Sequence, residues 1–309
     1  MPSPRDWIGL LDRVRRFGPG LVLLDNWPAF PFARRLSEAL GRPLVYRSQN
    51  VEVDYWRGMV GTAHGLRRAR LSVNARRIGR LERDVRSVAS VVLDISEEDR
   101  VRSAALGQEG RSVVLPGTRL PRHVLHVPWE QRDIDVLFAG NLWAPNNVHG
   151  LAWFFERVLP AAVSKAPGLR VAVAGARPTP EVRAAALRLG VACYADPPEL
   201  EGLRSRARVL MNPQLQYGGL MQKMLDYLSH DSWIVTTGVG AAGLTGELPA
   251  SVCVRDDPEG FAAELVARSA DPTVPSGAGA SYLEREFGVT RLRESIARIV
   301  AATAGGAAA

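Results

Sequence analysis

A short loop in the second half of the chain holds the residues whose types and spacing are best suited to binding a charged ligand. Gly218 and Gly219 permit a tight turn that exposes the amide groups of Leu220 and Met221, and Lys223 falls in the first turns of the helix predicted to follow. Amide groups at the start of a helix and a lysine ammonium both favour anions. The loop is therefore predicted to bind a diphosphate.

Lys223 is one of only two lysines among 39 basic residues. Because arginine serves most surface roles, a retained lysine indicates that a compact charge is needed. Asp226 follows three residues later on the same helix face, where a carboxylate can accept hydrogen bonds from ribose hydroxyls. The alternative is a surface Lys–Asp pair, which contributes only about 0.3–0.5 kcal/mol. We expect replacement of Lys223 by alanine to weaken diphosphate binding far more than replacement of Arg204.

A second loop of the same kind precedes the first along the chain. Gly140 and Asn141 directly follow the apolar segment Asp135–Ala139, and Asn146 is placed to cap the helix that comes next. Glycine lets the backbone approach a ligand closely, so Gly140 and Asn141 are also predicted to contact the diphosphate. An ordinary β–α turn with a capped helix is the alternative interpretation.

Both loops need a rigid sheet to position them, and the sequence predicts one. Short apolar strands alternate with helical segments, which is typical of βαβ units around a mainly parallel sheet. Residues 116–131 contain little periodicity and several prolines, as expected of a linker. The predicted domains are a first α/β domain over residues 1–115, a linker over 116–133, a second α/β domain over 134–288, and a C-terminal helix and tail over 289–309.

The composition is that of a globular protein, with 46% hydrophobic and 23% charged residues, which excludes a wholly disordered chain. No stretch is long and apolar enough to span a membrane, and the N-terminus lacks the pattern of a secretory signal. Cys193 and Cys253 lie in apolar segments, as free thiols in a reducing compartment do. We therefore expect a cytoplasmic protein. The sequence contains no GxSxG or HExxH motif and no clustered Cys/His set, so no metal site is predicted.

The net charge of +7 raises the question of a polyanionic partner. Arginine accounts for 37 of the 39 basic residues, an imbalance typical of a GC-rich genome. The densest basic segment, Leu66–Arg86, has its apolar positions on one helical face. Three interpretations stay open for it: a solvated helix, a surface that rests on anionic lipid at the inner membrane face, and a nucleic-acid site. Because no basic platform with interleaved aromatic residues accompanies it, a nucleic-acid partner is not expected.

With these residues in view, the segment Asp135–Leu244 resembles the donor half of a GT-B glycosyltransferase of family 4, also called group 1. The matching positions are Gly140, Asn141, Pro145, Asn146, Pro213, Gly218, Gly219, Lys223 and Asp226. The closing segment Thr236–Leu244 also matches. The segments Arg47–Trp56 and Leu81–Asp99 resemble the acceptor-side domain of the same family.

The resemblance implies two Rossmann-like domains that face a cleft, a nucleotide-sugar donor, and transfer with retention at the anomeric carbon. It implies no obligatory metal and no cofactor, because helix starts and basic side chains stabilise the leaving diphosphate. Lys223 is then the catalytic residue, Asp226 binds the ribose, and Gln49 and Asn50 lie on the acceptor side. The acceptor class stays open between a small molecule, a lipid and a polysaccharide.

This sequence departs from the family pattern at three places. Gly218 stands where the family often has the first of two glutamates, and Gln49 replaces a histidine, so an acid–base role is lost at that position. No strand with a glycine-rich loop precedes Leu21, so an incomplete N-terminal domain is expected. Two alternatives to a transferase follow: a non-catalytic GT-B protein or subunit that needs a partner, and an epimerase acting on a nucleotide sugar.

Overall fold

The computed structural model describes residues 3–61, 63–105, 111–118 and 124–305. The chain divides into two compact units, of which the first comprises Met1–Gly117 with Arg291–Ala309 and the second Thr118–Thr290. Each unit is an α/β structure around its own parallel sheet. Residues 119–123 of the predicted linker and 306–309 of the predicted tail lie outside the described residues. Among the described helices, none is long and apolar enough to cross a membrane.

The first unit alternates strands and helices along the chain. Its strands are β1 (Val22–Leu24), β2 (Leu44–Ser48), β3 (Val91–Asp94) and β4 (Ser112–Val114). Its helices are α1 (Pro4–Phe17), α2 (Phe30–Leu40), α3 (Glu52–Gly61), α4 (Gly65–Val88), α5 (Glu97–Ala104) and the last helix of the chain, α14 (Val289–Gly305). The four strands are parallel and lie in sequence order, β1-β2-β3-β4.

The core of the first unit forms on both faces of this sheet. On one face Tyr46 and Val92 pack with Phe30 of α2 and Val85 of α4. On the other face Ile299 of α14 packs against apolar side chains of β2 and β3, so the end of the chain belongs to the core of the first unit. A strand whose two faces are both covered is expected to be mainly apolar, as residues 91–93 of β3 are. The last residue of β3, Asp94, is buried in an ion pair with Arg86.

Helix α1 was not predicted from the sequence, although its signals are there. The side chain of Ser3 accepts a hydrogen bond from the amide of Asp6, and Gly18 closes the helix in the left-handed conformation with φ of 65°. A serine before a proline and a glycine after the last turn are ordinary helix boundaries. Its apolar residues lie on one helical face, although among the described side chains of the helix only Trp7 is deeply buried.

The second unit is larger and holds six strands. They are β5 (Ile134–Ala139), β6 (Val171–Gly175), β7 (Ala192–Ala195), β8 (Ala207–Asn212), β9 (Trp233–Thr236) and β10 (Val252–Val254). The helices are α6 (Pro145–Trp153), which continues through a π-helical turn at Phe154–Val158 into α7 (Leu159–Lys165), then α8 (Pro180–Arg188), α9 (Glu201–Ser205), α10 (Gln222–Leu228), α11 (Gly238–Ala241), α12 (Pro258–Ser269) and α13 (Ala278–Phe287).

The strand order of the second sheet is β10-β9-β8-β5-β6-β7, all parallel. The chain builds β5, β6 and β7 in one direction, returns to place β8 beside β5, and then builds β9 and β10 in the other direction. The loops after β5 and β8 therefore leave the sheet on opposite faces and open a crevice between them. In doubly wound sheets this switch point is the usual ligand site.

The expected α/β class with parallel sheets and two Rossmann-like units is confirmed. One local prediction was wrong. The residue before helix α6 is Ala144, and Asn146 lies inside the first turn, so Asn146 is not the cap. Helix α10 begins at Gln222, which places Lys223 in its first turn, as expected.

Candidate functional site

A cavity of about 690 Å³ opens at the switch point of the second sheet, between the loops that follow β5 and β8. The loop after β5 contributes Gly140 and Asn141 to its wall. The loop after β8 and the start of α10 contribute Gly218, Leu220, Met221, Gln222 and Lys223. Asp226 of α10 completes this side. The two loops that were predicted to contact one diphosphate therefore line one cavity, because β5 and β8 are neighbours in the sheet.

The ammonium group of Lys223 lies at the floor of the cavity. Its Nζ donates a hydrogen bond of 2.6 Å to Oδ1 of Asn147 and lies 4.4 Å from the centre of the Phe138 ring. No carboxylate is recorded beside Nζ in the described part of the chain. Asn147 and Phe138 are neutral, so the positive charge of Lys223 is available to pair with an anionic ligand in the cavity.

Burial lowers the pKa of Lys223 from 10.5 to about 7. The cause is the loss of water around the ammonium, which disfavours its charged form. An anion bound in the cavity would stabilise that form, so the site is electrostatically complementary to a negative ligand. A partly desolvated ammonium also interacts more strongly with such a ligand than one in bulk water does.

Neighbouring residues hold Lys223 in place. Asn147 is 6% exposed, and its Nδ2 donates a hydrogen bond of 2.8 Å to the carbonyl of Asn141, which fixes the Asn147 amide and the loop together. The hydroxyl of Tyr227 donates to the carbonyl of Ala139 at 3.0 Å and accepts from its amide at 2.8 Å. Tyr227 thus ties α10 to the end of β5, one helical turn after Lys223.

The loops approach one another closely where side chains are small. Gly175, with φ of 153°, ends β6 against the first loop, and a Cβ there would overlap the carbonyl oxygen of Gly140. Gly150 brings α6 against the backbone of Pro213 in the same way. In the second loop, Gly219 has φ of 68°, as the predicted tight turn requires.

Asp226 faces the cavity and is paired with arginine rather than with Lys223. Arg204 of α9 donates a hydrogen bond of 3.1 Å to Oδ2 of Asp226 and lies 3.7 Å from Glu201. Arg204 is only 8% exposed and lines the same cavity. The alternative interpretation, a surface Lys–Asp pair, is therefore not what the structure shows. Arg204 is also part of the site, which the sequence did not indicate.

The predicted site residues fall into two groups. Gly140, Asn141, Gly218, Leu220, Met221, Lys223 and Asp226 line the cavity, and Gly219 forms the turn behind it. Gln49 and Asn50 belong to the first unit, directly after β2. Nε2 of Gln49 donates to the carbonyl of Asp25 at 3.3 Å, and the carbonyl of Asn50 accepts from the Ser48 hydroxyl at 2.8 Å.

Sequence reasoning missed Asn147 and Arg204 as members of this site. Asn147 adjoins the Pro-Asn pair of the loop, so a second asparagine at the start of a helix was an available signal. Arg204 offered none, because arginines are abundant in this chain. Only the position of α9 beside α10 shows which arginine contacts Asp226.

Comparison with known proteins begins from sequence. No protein-family model matches the chain. An uncharacterized 44.6 kDa protein in the cps region of Klebsiella pneumoniae is 23% identical over 197 residues, which are 60% of this chain and 48% of that protein. The chain spans about half the length of this curated relative.

Solved structures share the fold across most of the chain. HepE of Anabaena, in complex with UDP-glucose, aligns with a TM-score of 0.63 and 12% identity over 97% of this chain and 84% of HepE. Sucrose-phosphate synthase from Thermosynechococcus elongatus aligns with a TM-score of 0.69 and 12% identity over 94% of this chain and 76% of the synthase. The α,α-trehalose 6-phosphate synthase of Burkholderia multivorans aligns with a TM-score of 0.59 and 14% identity over 100% of this chain and 78% of the synthase. These proteins have the GT-B fold, and so does this chain.

Proposed function

We propose that this chain is a glycosyltransferase that transfers a sugar from a nucleotide-sugar donor to an acceptor, with retention at the anomeric carbon. The observation that carries the proposal is the ammonium of Lys223 in the switch-point cavity, bound to a neutral amide oxygen 2.6 Å away and open to an anion. A nucleotide sugar supplies that anion as its diphosphate. The cavity, at about 690 Å³, is of the size found for small-molecule sites.

The cavity residues divide between the parts of such a donor. Lys223 binds the diphosphate and stabilises the charge that develops on it as the sugar leaves, which is the main electrostatic requirement of the reaction. Asp226, held by Arg204, accepts hydrogen bonds from the ribose hydroxyls. Gly140 and Asn141 bring backbone close to the phosphates from the other loop. We propose that this arrangement serves without an obligatory metal.

The choice of donor to test first follows from the comparisons. HepE is in complex with UDP in one structure and with UDP-glucose in another. A uridine donor is therefore the first candidate, followed by guanosine and thymidine diphosphate sugars. The acceptor class is left open between a small molecule, a lipid and a polysaccharide, with Gln49 and Asn50 on the acceptor side.

The test is donor binding followed by turnover. Saturation-transfer NMR with UDP-, GDP- and dTDP-sugars should reveal a bound donor, in buffer with EDTA as well as without it. Replacing Lys223 by alanine should reduce the affinity by about tenfold or more, since a charge-assisted hydrogen bond contributes about 1.5–3 kcal/mol. The matched control is Lys165→Ala, because Lys165 is the only other lysine and ends α7 on the surface.

The outcomes separate the alternatives. A retaining transferase is supported if a donor binds, the nucleotide diphosphate is released, and the product has the same anomeric configuration as the donor. If a donor binds but none of the donors is turned over, the result supports a non-catalytic GT-B protein. If a free nucleotide sugar is converted into a product of the same mass, the result supports an epimerase. If no donor binds, or if Lys223→Ala and Lys165→Ala behave alike, the assignment of the cavity is wrong.

A further inference from the structure

A second cavity, of about 510 Å³, lies inside the first unit between α3 and α4. We call it the α3–α4 pocket. It is lined by Val53, Arg57, Val60, Ser72, Ala75, Arg76, Gly79, Arg80 and Arg83. It belongs to a different unit from the cavity around Lys223, and the proposed transfer reaction gives it no role.

The charge of this pocket is of one sign. Arg76, Arg80 and Arg83 follow one another at helical spacing along the face of α4 that borders the pocket, and Arg57 faces them from α3. Among the described residues that line it, none is an aspartate or a glutamate. Arg57 contacts Asp54 at 3.3 Å, whereas no acidic partner is recorded for the three arginines of α4 within the described ranges. Guanidinium groups gathered around one concavity repel one another unless an anion lies between them.

The floor of the pocket is apolar and firmly built. Val53 is 3% exposed and Ala75 is 7% exposed. Gly79 lets the helices approach closely there, since a Cβ at Gly79 would come within 3.0 Å of Cγ2 of Val53. The buried Glu82 accepts hydrogen bonds from the amides of Glu52 and Val53 at 3.2 and 3.0 Å, which anchors the start of α3 against α4.

We propose that the α3–α4 pocket binds the phosphate ester of an apolar alcohol. The phosphate is held by the arginines of α4 together with Arg57, because a guanidinium donates paired hydrogen bonds that match phosphate oxygens. The apolar part lies against Val53, Val60 and Ala75. A bare phosphate would leave this apolar floor in water, and an uncharged amphiphile would leave the charges of Arg76, Arg80 and Arg83 without an anion. The proposal goes beyond the transfer reaction and does not depend on it.

The test uses the full chain and octyl phosphate at a concentration where it is monomeric. Calorimetry should show one octyl phosphate bound per chain, several-fold more tightly than inorganic phosphate, and no comparable binding of octyl glucoside. The variant Arg76→Gln/Arg83→Gln should weaken binding by at least about tenfold. Its control is Arg70→Gln/Arg77→Gln, which removes two charges at the same spacing from exposed positions of α4 outside the pocket, and should change the affinity less than about twofold.

Three results would overturn the proposal. Equal losses in the two double variants would mean that general attraction to a basic helix accounts for binding. Equal affinity for octyl glucoside would mean that the arginines do not contribute. Binding to phosphatidylglycerol vesicles without binding of monomeric octyl phosphate would assign the helix to a membrane surface. Thermal unfolding checks that every variant is folded, and nucleotide-sugar binding, measured in parallel, is expected to be unchanged because neither pair of arginines lines the Lys223 cavity.

Discussion

The ammonium nitrogen of Lys223 lies 2.6 Å from the side-chain oxygen of Asn147, although 76 positions separate the two residues along the chain. Asn147 stands in the first turns of α6, after β5, and Lys223 in the first turn of α10, after β8. The contact exists because β5 and β8 are adjacent in the sheet. It places the ammonium of Lys223 in the cavity wall, hydrogen-bonded to a neutral side chain.

Donor binding should depend on pH through Lys223. Its pKa is lowered to about 7, so the ammonium is increasingly lost above pH 7. A bound diphosphate favours the charged form and raises that pKa, so binding takes up a proton in this range. The affinity for a nucleotide sugar should therefore be constant below about pH 6 and fall as pH rises through 7, by up to about tenfold per unit. Calorimetry between pH 6 and 9 measures this, and Lys223→Arg, which stays charged, should flatten the profile. A profile that is the same for both proteins would contradict this prediction.

Arg204 and Asp226 should act as one unit in nucleotide binding. Arg204 is buried against Asp226 and Glu201, so its removal takes away a hydrogen bond that orients the carboxylate proposed to hold the ribose. Arg204→Gln and Asp226→Asn should each weaken nucleotide binding, and the double variant should lose less than the sum of the two. Residues in direct contact show coupling of about 0.5–3 kcal/mol in such a cycle. Strict additivity, measured by calorimetry, would show that Arg204 does not position Asp226.

Gly175→Ala should destabilise the second unit. A Cβ at Gly175 would overlap the carbonyl oxygen of Gly140, and the backbone of Gly175 has a φ of 153°, which alanine rarely adopts. We expect a loss of about 2 kcal/mol or more in the free energy of unfolding, together with weaker donor binding. Gly168→Ala is the control, because a Cβ at Gly168 meets nothing within 4 Å. Chemical denaturation measures both variants, and a change of less than about 0.5 kcal/mol for Gly175→Ala would count against the close approach.

Arg86→Met should strongly destabilise the first unit. Arg86 is fully buried, and its guanidinium donates hydrogen bonds to Asp94 at 3.2 Å and to Ser48 at 2.7 Å, with Glu82 at 3.4 Å. Without Arg86, two carboxylates would stay buried without their cation, a change that costs about 3–5 kcal/mol. Arg77→Met, at an exposed position of the same helix, should change the free energy of unfolding by less than about 0.5 kcal/mol. Unfolding midpoints in urea that are equal for the two variants would refute this.

Much of the fold follows from local patterns. The strands of the second sheet are apolar and bounded by glycine or polar residues, so their positions could be predicted to within a few residues. The loop before α10 could be identified from its pair of glycines, Gly218 and Gly219, and from Lys223, one of only two lysines in the chain. Helix α1 was missed although its boundary residues Ser3 and Gly18 and its apolar face are visible in the sequence. The start of α6 was misplaced because Ala144 precedes Pro145 without a side-chain cap.

The sequence by itself determined the class of fold, the two loops that favour an anion, and the lysine that follows the second loop, because turn glycines, strand periodicity and a rare charge are local properties of the chain. The tertiary structure decided which residues meet. It placed β8 beside β5, which brought Asn147 to Lys223 and Arg204 to Asp226. It also packed α3 on α4, so that Arg57 joins the arginines of the basic helix around one apolar floor. Such contacts depend on strand order and helix packing, and no local pattern in the sequence records them.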